Sequence, residues 1–139
     1  MKIQIPEDIG GELKLLPNGH CTAVLTNMSL GKSKEGNPKA TAMYTVTSEM
    51  YDDPKEGSTI GEKVLETFSL LPQALFNING LYKSVTKENI PQGDYDFQEF
   101  LQIILEALKG QEFNLILEQD ISPTTGQPMT KVAERTYAG

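Results

Sequence analysis

The sequence predicts a mainly β domain with a helical insert. Three observations carry this: strand-like alternation up to residue 69, two stretches of helical spacing between 71 and 110, and two more alternating stretches near the end. At 139 residues, with 38% hydrophobic and 22% charged residues, the chain can bury one core and has the make-up of an ordinary folded protein. It reads as one domain over 1–139, with 1–14 an N-terminal extension or an extra strand.

The first strand follows a Pro-Asn-Gly turn in "PNGHCTAVLTNMS", with Cys21, Ala23 and Leu25 alternating against Thr22 and Thr26. A loop "LGKSKEGNPK" leads to the second strand, "KATAMYTVTS". Ala40, Ala42, Tyr44 and Val46 share one face there, and Thr41, Met43, Thr45 and Thr47 the half-exposed other. After the loop "YDDPKEGSTIG", the third strand "EKVLETFSL" sets Val64 and Phe68 opposite Leu65.

At Leu71 the period changes. Leu71, Leu75, Ile78, Tyr82 and Val85 recur at helical spacing, with Pro72 in the first turn, where a missing N–H costs nothing. Gly80 suggests close packing or a break. A second helix, "FQEFLQIILEALKG", presents Phe97, Phe100, Leu101, Ile104, Leu105 and Leu108, with Asp94 or Asp96 as N-cap and Gly110 as the terminating glycine. The fourth strand, "QEFNLILEQ", buries Phe113, Leu115 and Leu117. A Pro/Gly turn then precedes the fifth, "MTKVAERTY".

Three strands, helical material and two strands form the element order of an OB-fold, here a five-stranded antiparallel barrel with helices between strands three and four. An α+β domain with helices on one face of an antiparallel sheet has the same order.

The composition excludes several kinds of chemistry. His20 and Cys21 are the single His and Cys, too few for a zinc site, and as strand neighbours they point to opposite faces. Cys21 reads as a small buried strand residue and His20 as a turn exit. One cysteine fits a reducing cytoplasm. "MKIQIPEDIGG" lacks the apolar core of a signal peptide, and no apolar run is long enough to span a bilayer. Asp52, Asp53 and Glu56 lack calcium-loop spacing and read as a solvated turn. No phosphate loop, nucleophile elbow or HExxH occurs. The expectation is no enzyme, no metal, no cofactor and no membrane.

A net charge of −7 opposes phosphate binding, but the charge is segregated. Lys32, Lys34 and Lys39 cluster in 29–48, while 88–120 holds eight acidic residues and one lysine. An OB-fold binds oligonucleotides on strands two and three and through the one–two and four–five loops. Under the assignment above, those places carry Lys32, Lys34 and Lys39, with Lys131 and Arg135 after the four–five loop. Tyr44 and Tyr137 are candidates for base stacking; Phe68, a third aromatic, is better read as packing.

The segments "LLPNGHCTAVL", "GKSKEGNPKATAMYTV", "VLETFSLLPQALFNINGLYKSV" and "LKGQEFNLILEQD" resemble a set of bacteriophage single-stranded-DNA-binding proteins, long catalogued as a phage domain of unknown function. The resemblance runs from Leu15 to the end and is most specific in "ETFSLLPQALFNINGLYK". It implies an OB-fold that coats single-stranded DNA in phage replication or recombination, in the cytoplasm of the bacterial host. The chain ends "ERTYAG", without the acidic tail many such proteins use to recruit partners. The alternative reading is a non-catalytic interaction module of OB-like fold that engages a host or phage replication protein through its acidic surface; replication or recombination proteins are the expected protein partners. An exposed edge strand or an apolar patch on the second helix would make a homodimer.

Overall fold

A computed structural model of the chain describes residues 15–51, 58–122 and 126–139. In chain order the elements are β1 (Gly19–Lys32), β2 (Pro38–Tyr51), β3 (Lys63–Ser69), a 3-10 turn (Pro72–Ala74), α1 (Leu75–Thr86), α2 (Phe97–Leu108), β4 (Glu112–Ile121) and β5 (Pro128–Tyr137). The expected extra strand in 1–14 and the turn at Asp52, Asp53 and Glu56 lie outside the described residues.

The strands form one antiparallel sheet in the order β3-β2-β1-β4-β5. The register shifts insert one extra residue each, Thr26 in β1, Thr47 in β2 and Ala133 in β5, and such bulges bend the strands that carry them. The sheet is open. Among the described residues no ladder joins β3 to β5, so the expected barrel does not close. Paired strands lie about 4.8 Å apart, whereas here a cleft of about 710 Å³ stands between 63–67 and 128–132. Side chains bridge the seam instead: Arg135 of β5 donates to the Glu66 carboxylate of β3 and lies 5.4 Å over the Phe68 ring.

The concave face holds the core. Cys21, Ala23, Leu25, Ala40, Ala42, Tyr44, Val46, Val64, Phe68, Phe113, Leu115 and Leu117 point inward from β1, β2, β3 and β4, and β5 adds the half-buried Val132 and Tyr137. Ile78 and Leu81 of α1, and Ile104 and Leu108 of α2, cover them, α1 against β3 and β5 and α2 against β1. Leu16 completes the core from before β1, its amide donating to Thr130 Oγ1 at 2.9 Å. Among the described residues no polar or charged side chain is buried. Burial alone therefore specifies this face.

Local detail departs from the expectations in three places. The lysine loop is shorter than "LGKSKEGNPK": β1 runs through Lys32 and β2 begins at Pro38, leaving residues 33–37 as the turn. That turn is closed by Ser33 N–H to Asn37 O (2.7 Å) and Gly36 N–H to Ser33 O (2.9 Å), with Gly36 at φ 84°. In α1 the fully buried pair is Ile78 and Leu81, with Tyr82 and Val85 packed against the core as expected, while Leu75, the first residue after the 3-10 turn, is exposed. Gly80 neither breaks the helix nor packs closely, since a Cβ there would meet nothing within 4 Å. By contrast, Asp96 caps α2 in a capping box with Glu99, and Gly110 follows the C-cap Lys109 at φ 85°.

Candidate nucleic-acid interface

Strand alternation puts Lys39, Thr41, Met43 and Thr45 of β2 on the convex face, opposite the buried Ala40, Ala42 and Tyr44. There Lys39 faces Ser69, Thr41 faces Thr67, Met43 faces Leu65 and Thr45 faces Lys63 across the β2–β3 ladder. A residue-by-residue rise of about 3.3 Å spaces Lys39 and Lys63 by roughly 20 Å along the strands. Beyond Lys39 the hairpin tip carries Lys32 and Lys34, both exposed. Neither has a hydrogen bond or ion pair with another described residue.

Hydroxyls line the rest of this surface. Thr22 Oγ1 meets Thr47 Oγ1 at 2.8 Å and Ser48 Oγ at 2.6 Å, and Thr45 Oγ1 donates to Thr26 Oγ1 at 3.2 Å. Lys63 Nζ donates to Thr45 Oγ1 at 2.8 Å, which holds the ammonium against the sheet. Carboxylates stand at its border: Glu112 accepts from Thr47 Oγ1 at 2.9 Å, and Glu35 is exposed in the hairpin tip. Ammonium and hydroxyl groups are the donors that phosphate oxygens accept from.

Four of the residues expected to bind are placed elsewhere, three of them with their side chains already engaged. Tyr44 does not offer a face for stacking: it is 0% exposed, packed edge-on against Phe113 at 5.8 Å. Its hydroxyl donates to Glu66 Oε1 at 2.7 Å. Burial, then the Glu66 charge, push that hydroxyl well above the ordinary tyrosine value. The alternation that predicted a β face also put Tyr44 with Ala40, Ala42 and Val46, the face that turned out to be the core. Arg135 is committed to Glu66 and Phe68, so its charge is already compensated. Tyr137 is half-buried; its hydroxyl donates to Gln111 Oε1 at 2.5 Å, and its ring sits between Phe113 (5.6 Å) and the Lys87 ammonium (5.7 Å).

Lys131 is exposed, 3.9 Å from Asp120. It stands opposite Glu118, next to Leu117, which pairs with Gly19 at the start of β1. The hairpin tip is at the other end of β1, so Lys131 and Lys32 are separated by the length of that strand. The structure thus gathers Lys32, Lys34 and Lys39 and leaves Lys131, Arg135, Tyr44 and Tyr137 out of that cluster. It adds Lys63, which sequence reasoning missed. Period-2 alternation could have assigned Lys63 to the same face as Leu65, but only the register places it across from Thr45.

The remaining candidate groups are structural. Cys21 is buried, and burial pushes its thiol up to about 11, far from a reactive thiolate. Among the described residues no group of three or more His, Cys, Asp or Glu could hold a metal ion. No helix there is long and apolar enough to cross a membrane. No protein-family model matches the chain, and no curated protein matches it significantly.

Proposed function

We propose that this chain is a non-catalytic, sequence-tolerant single-stranded-DNA-binding protein of OB-like fold, of the bacteriophage type its sequence resembles. It would serve phage DNA replication or recombination in the bacterial host cytoplasm. The observation that carries the reading is the convex β2–β3 surface, where Lys39 and Lys63 flank a hydroxyl-lined strip that continues into Lys32 and Lys34. That is the surface an OB-fold uses for oligonucleotides. The order β3-β2-β1-β4-β5, with β3 and β5 facing each other across the Glu66–Arg135 pair, is the order such a barrel has when opened at one seam.

The eight paired residues of this surface include no aromatic, so binding rests on phosphate contact rather than on stacking. Four lysines engaging a single strand give a log–log salt slope of about −3, or roughly 50-fold weaker binding between 50 and 200 mM salt. Fluorescence anisotropy of a labelled oligo-dT, at a series of salt concentrations, measures this directly. Lys32→Glu with Lys34→Glu is expected to weaken binding at least about tenfold and to leave the thermal midpoint nearly unchanged, because both side chains are exposed. No binding at low salt overturns the proposal.

A further inference from the structure

A second surface is built from other residues and has the opposite charge. The start of α1 and the segment leading into α2 enclose a cleft of about 590 Å³, lined by Leu75, Phe76, Ile90, Tyr95, Phe97 and Phe100 among others. Phe76 is 70% and Phe97 54% exposed, in a chain whose other phenylalanines are largely covered. Exposed aromatic side chains side by side on one cleft mark an interaction surface more than isolated ones do.

The cleft is held open by its own hydrogen bonds. Asn79 of α1 accepts from the Ile90 amide at 2.9 Å and donates to Asn89 at 3.1 Å, tying the far wall to the helix. Tyr95 donates to the Pro91 carbonyl at 2.8 Å, and its ring leans on Phe100 at 6.4 Å. The capping box of Asp96 and Glu99 fixes the entry to α2. A partner therefore meets a preformed wall and does not have to order it.

The charge around it is one-sided. Residues 88–108 contain Glu88, Asp94, Asp96, Glu99 and Glu106 and no lysine or arginine. The basic residues of the adjoining helix, Lys83 and its C-cap Lys87, sit at the far end of α1, and Lys87 is engaged over Tyr137. A DNA strand is repelled from such a surface, and a second copy of a chain with net charge −7 is disfavoured as well.

We infer that this cleft docks a basic amphipathic segment of another protein, seating two or more bulky apolar side chains against Phe76 and Phe97 while its lysines or arginines meet Asp94, Asp96 and Glu99. The mode is that of a peptide helix laid in an apolar groove, with the acidic rim setting its orientation and speeding encounter. The cleft shares no residue with the lysine strip, although Leu70 in its wall follows Ser69 of that strip, so one protein would have adjoining places for a DNA strand and a basic partner.

The test uses the full chain and three labelled synthetic peptides: one with Leu and Lys at helical spacing, one with its Leu replaced by Ala, and one with its Lys replaced by Glu. Anisotropy should show the Leu/Lys peptide binding at least tenfold tighter than either control. Phe76→Ala with Phe97→Ala should lose at least tenfold, and Asp94→Lys about threefold, with oligo-dT binding unchanged in each. Equal binding of the three peptides, or equal binding to wild type and Asp94→Lys together with the double variant, overturns the inference. So does a dimer in sedimentation that Phe76→Ala disperses, which would assign the cleft to a second copy.

Discussion

Arg135 shows why charge alone does not identify a ligand-binding residue. It counts as a cation in the sequence, but in the fold it satisfies Glu66, covers Phe68 and spans the seam between β3 and β5. Charged hydrogen bonds of this kind contribute about 2 kcal/mol. Arg135→Ala is accordingly expected to lower the urea-unfolding free energy by about 2 kcal/mol while changing oligo-dT affinity less than about threefold. A large loss of DNA binding at constant stability would reverse the assignment. Tyr44 lies in the same network and makes it sensitive to alkali. Its folded-state value is raised by burial and by Glu66, so below pH ~10, the ordinary tyrosine value, it favours the folded state in full. Above that pH the unfolded chain gives up the proton that the folded chain keeps, and stability falls. Urea midpoints measured from pH 8 to 11 should decline more steeply for wild type than for Tyr44→Phe; parallel declines would count against the network.

Among the elements, α1 carries the clearest mismatch between propensity and place. Gly80 lies in its interior, is exposed and has open space where a Cβ would be. Gly80→Ala is expected to stabilise the protein by about 1 kcal/mol, read as a higher thermal and urea midpoint; destabilisation would show a packing role that the geometry lacks. The second helix is locally consistent. Asp96 and Glu99 satisfy its first-turn amides, Ile104 and Leu108 enter the core, and Gly110 turns the chain so that its amide reaches Leu25 O at 2.9 Å. From there Leu25 N–H returns to Gln111 O at 2.9 Å, continuing the β1–β4 pairing into the helix exit.

At the scale of the whole molecule, the sheet is a curved layer with β1 in the middle and two unpaired edges facing one another. β1 is bonded to β2 along its length and to β4 over Gly19 to Val24. The edges at β3 and β5 meet only through side chains and the cleft beside them. Native-state hydrogen exchange should therefore find the strongest protection in the first half of β1 and its partners, and earlier exchange in β3 and β5. Uniform protection across the five strands would instead mean that the seam behaves as a closed ladder. The two surfaces also differ in charge at this scale: the lysines gather on the convex β2–β3 face, and the apolar cleft is walled in part by the acidic stretch 88–108, with Asp94 in its lining.

The alternation of Ala40, Ala42, Tyr44 and Val46, the run Phe113, Leu115, Leu117, and the cap at Asp96 were legible in the sequence, because strand period, helix period and capping are local properties of the chain. The same alternation placed Cys21 in the core and His20 outside it. What the chain could not show by itself was which strand face met the helices, which residues stood across from one another, and which cations had partners. Those depend on pairings between distant segments: Lys63 joined Lys39 only through the β2–β3 register, and Arg135 left the candidate site only because β5 curls back to Glu66, 69 positions away in the chain. Burial decided Tyr44 in the same way, since a tyrosine on an alternating strand can face water or core, and only the packed sheet closes one of the two.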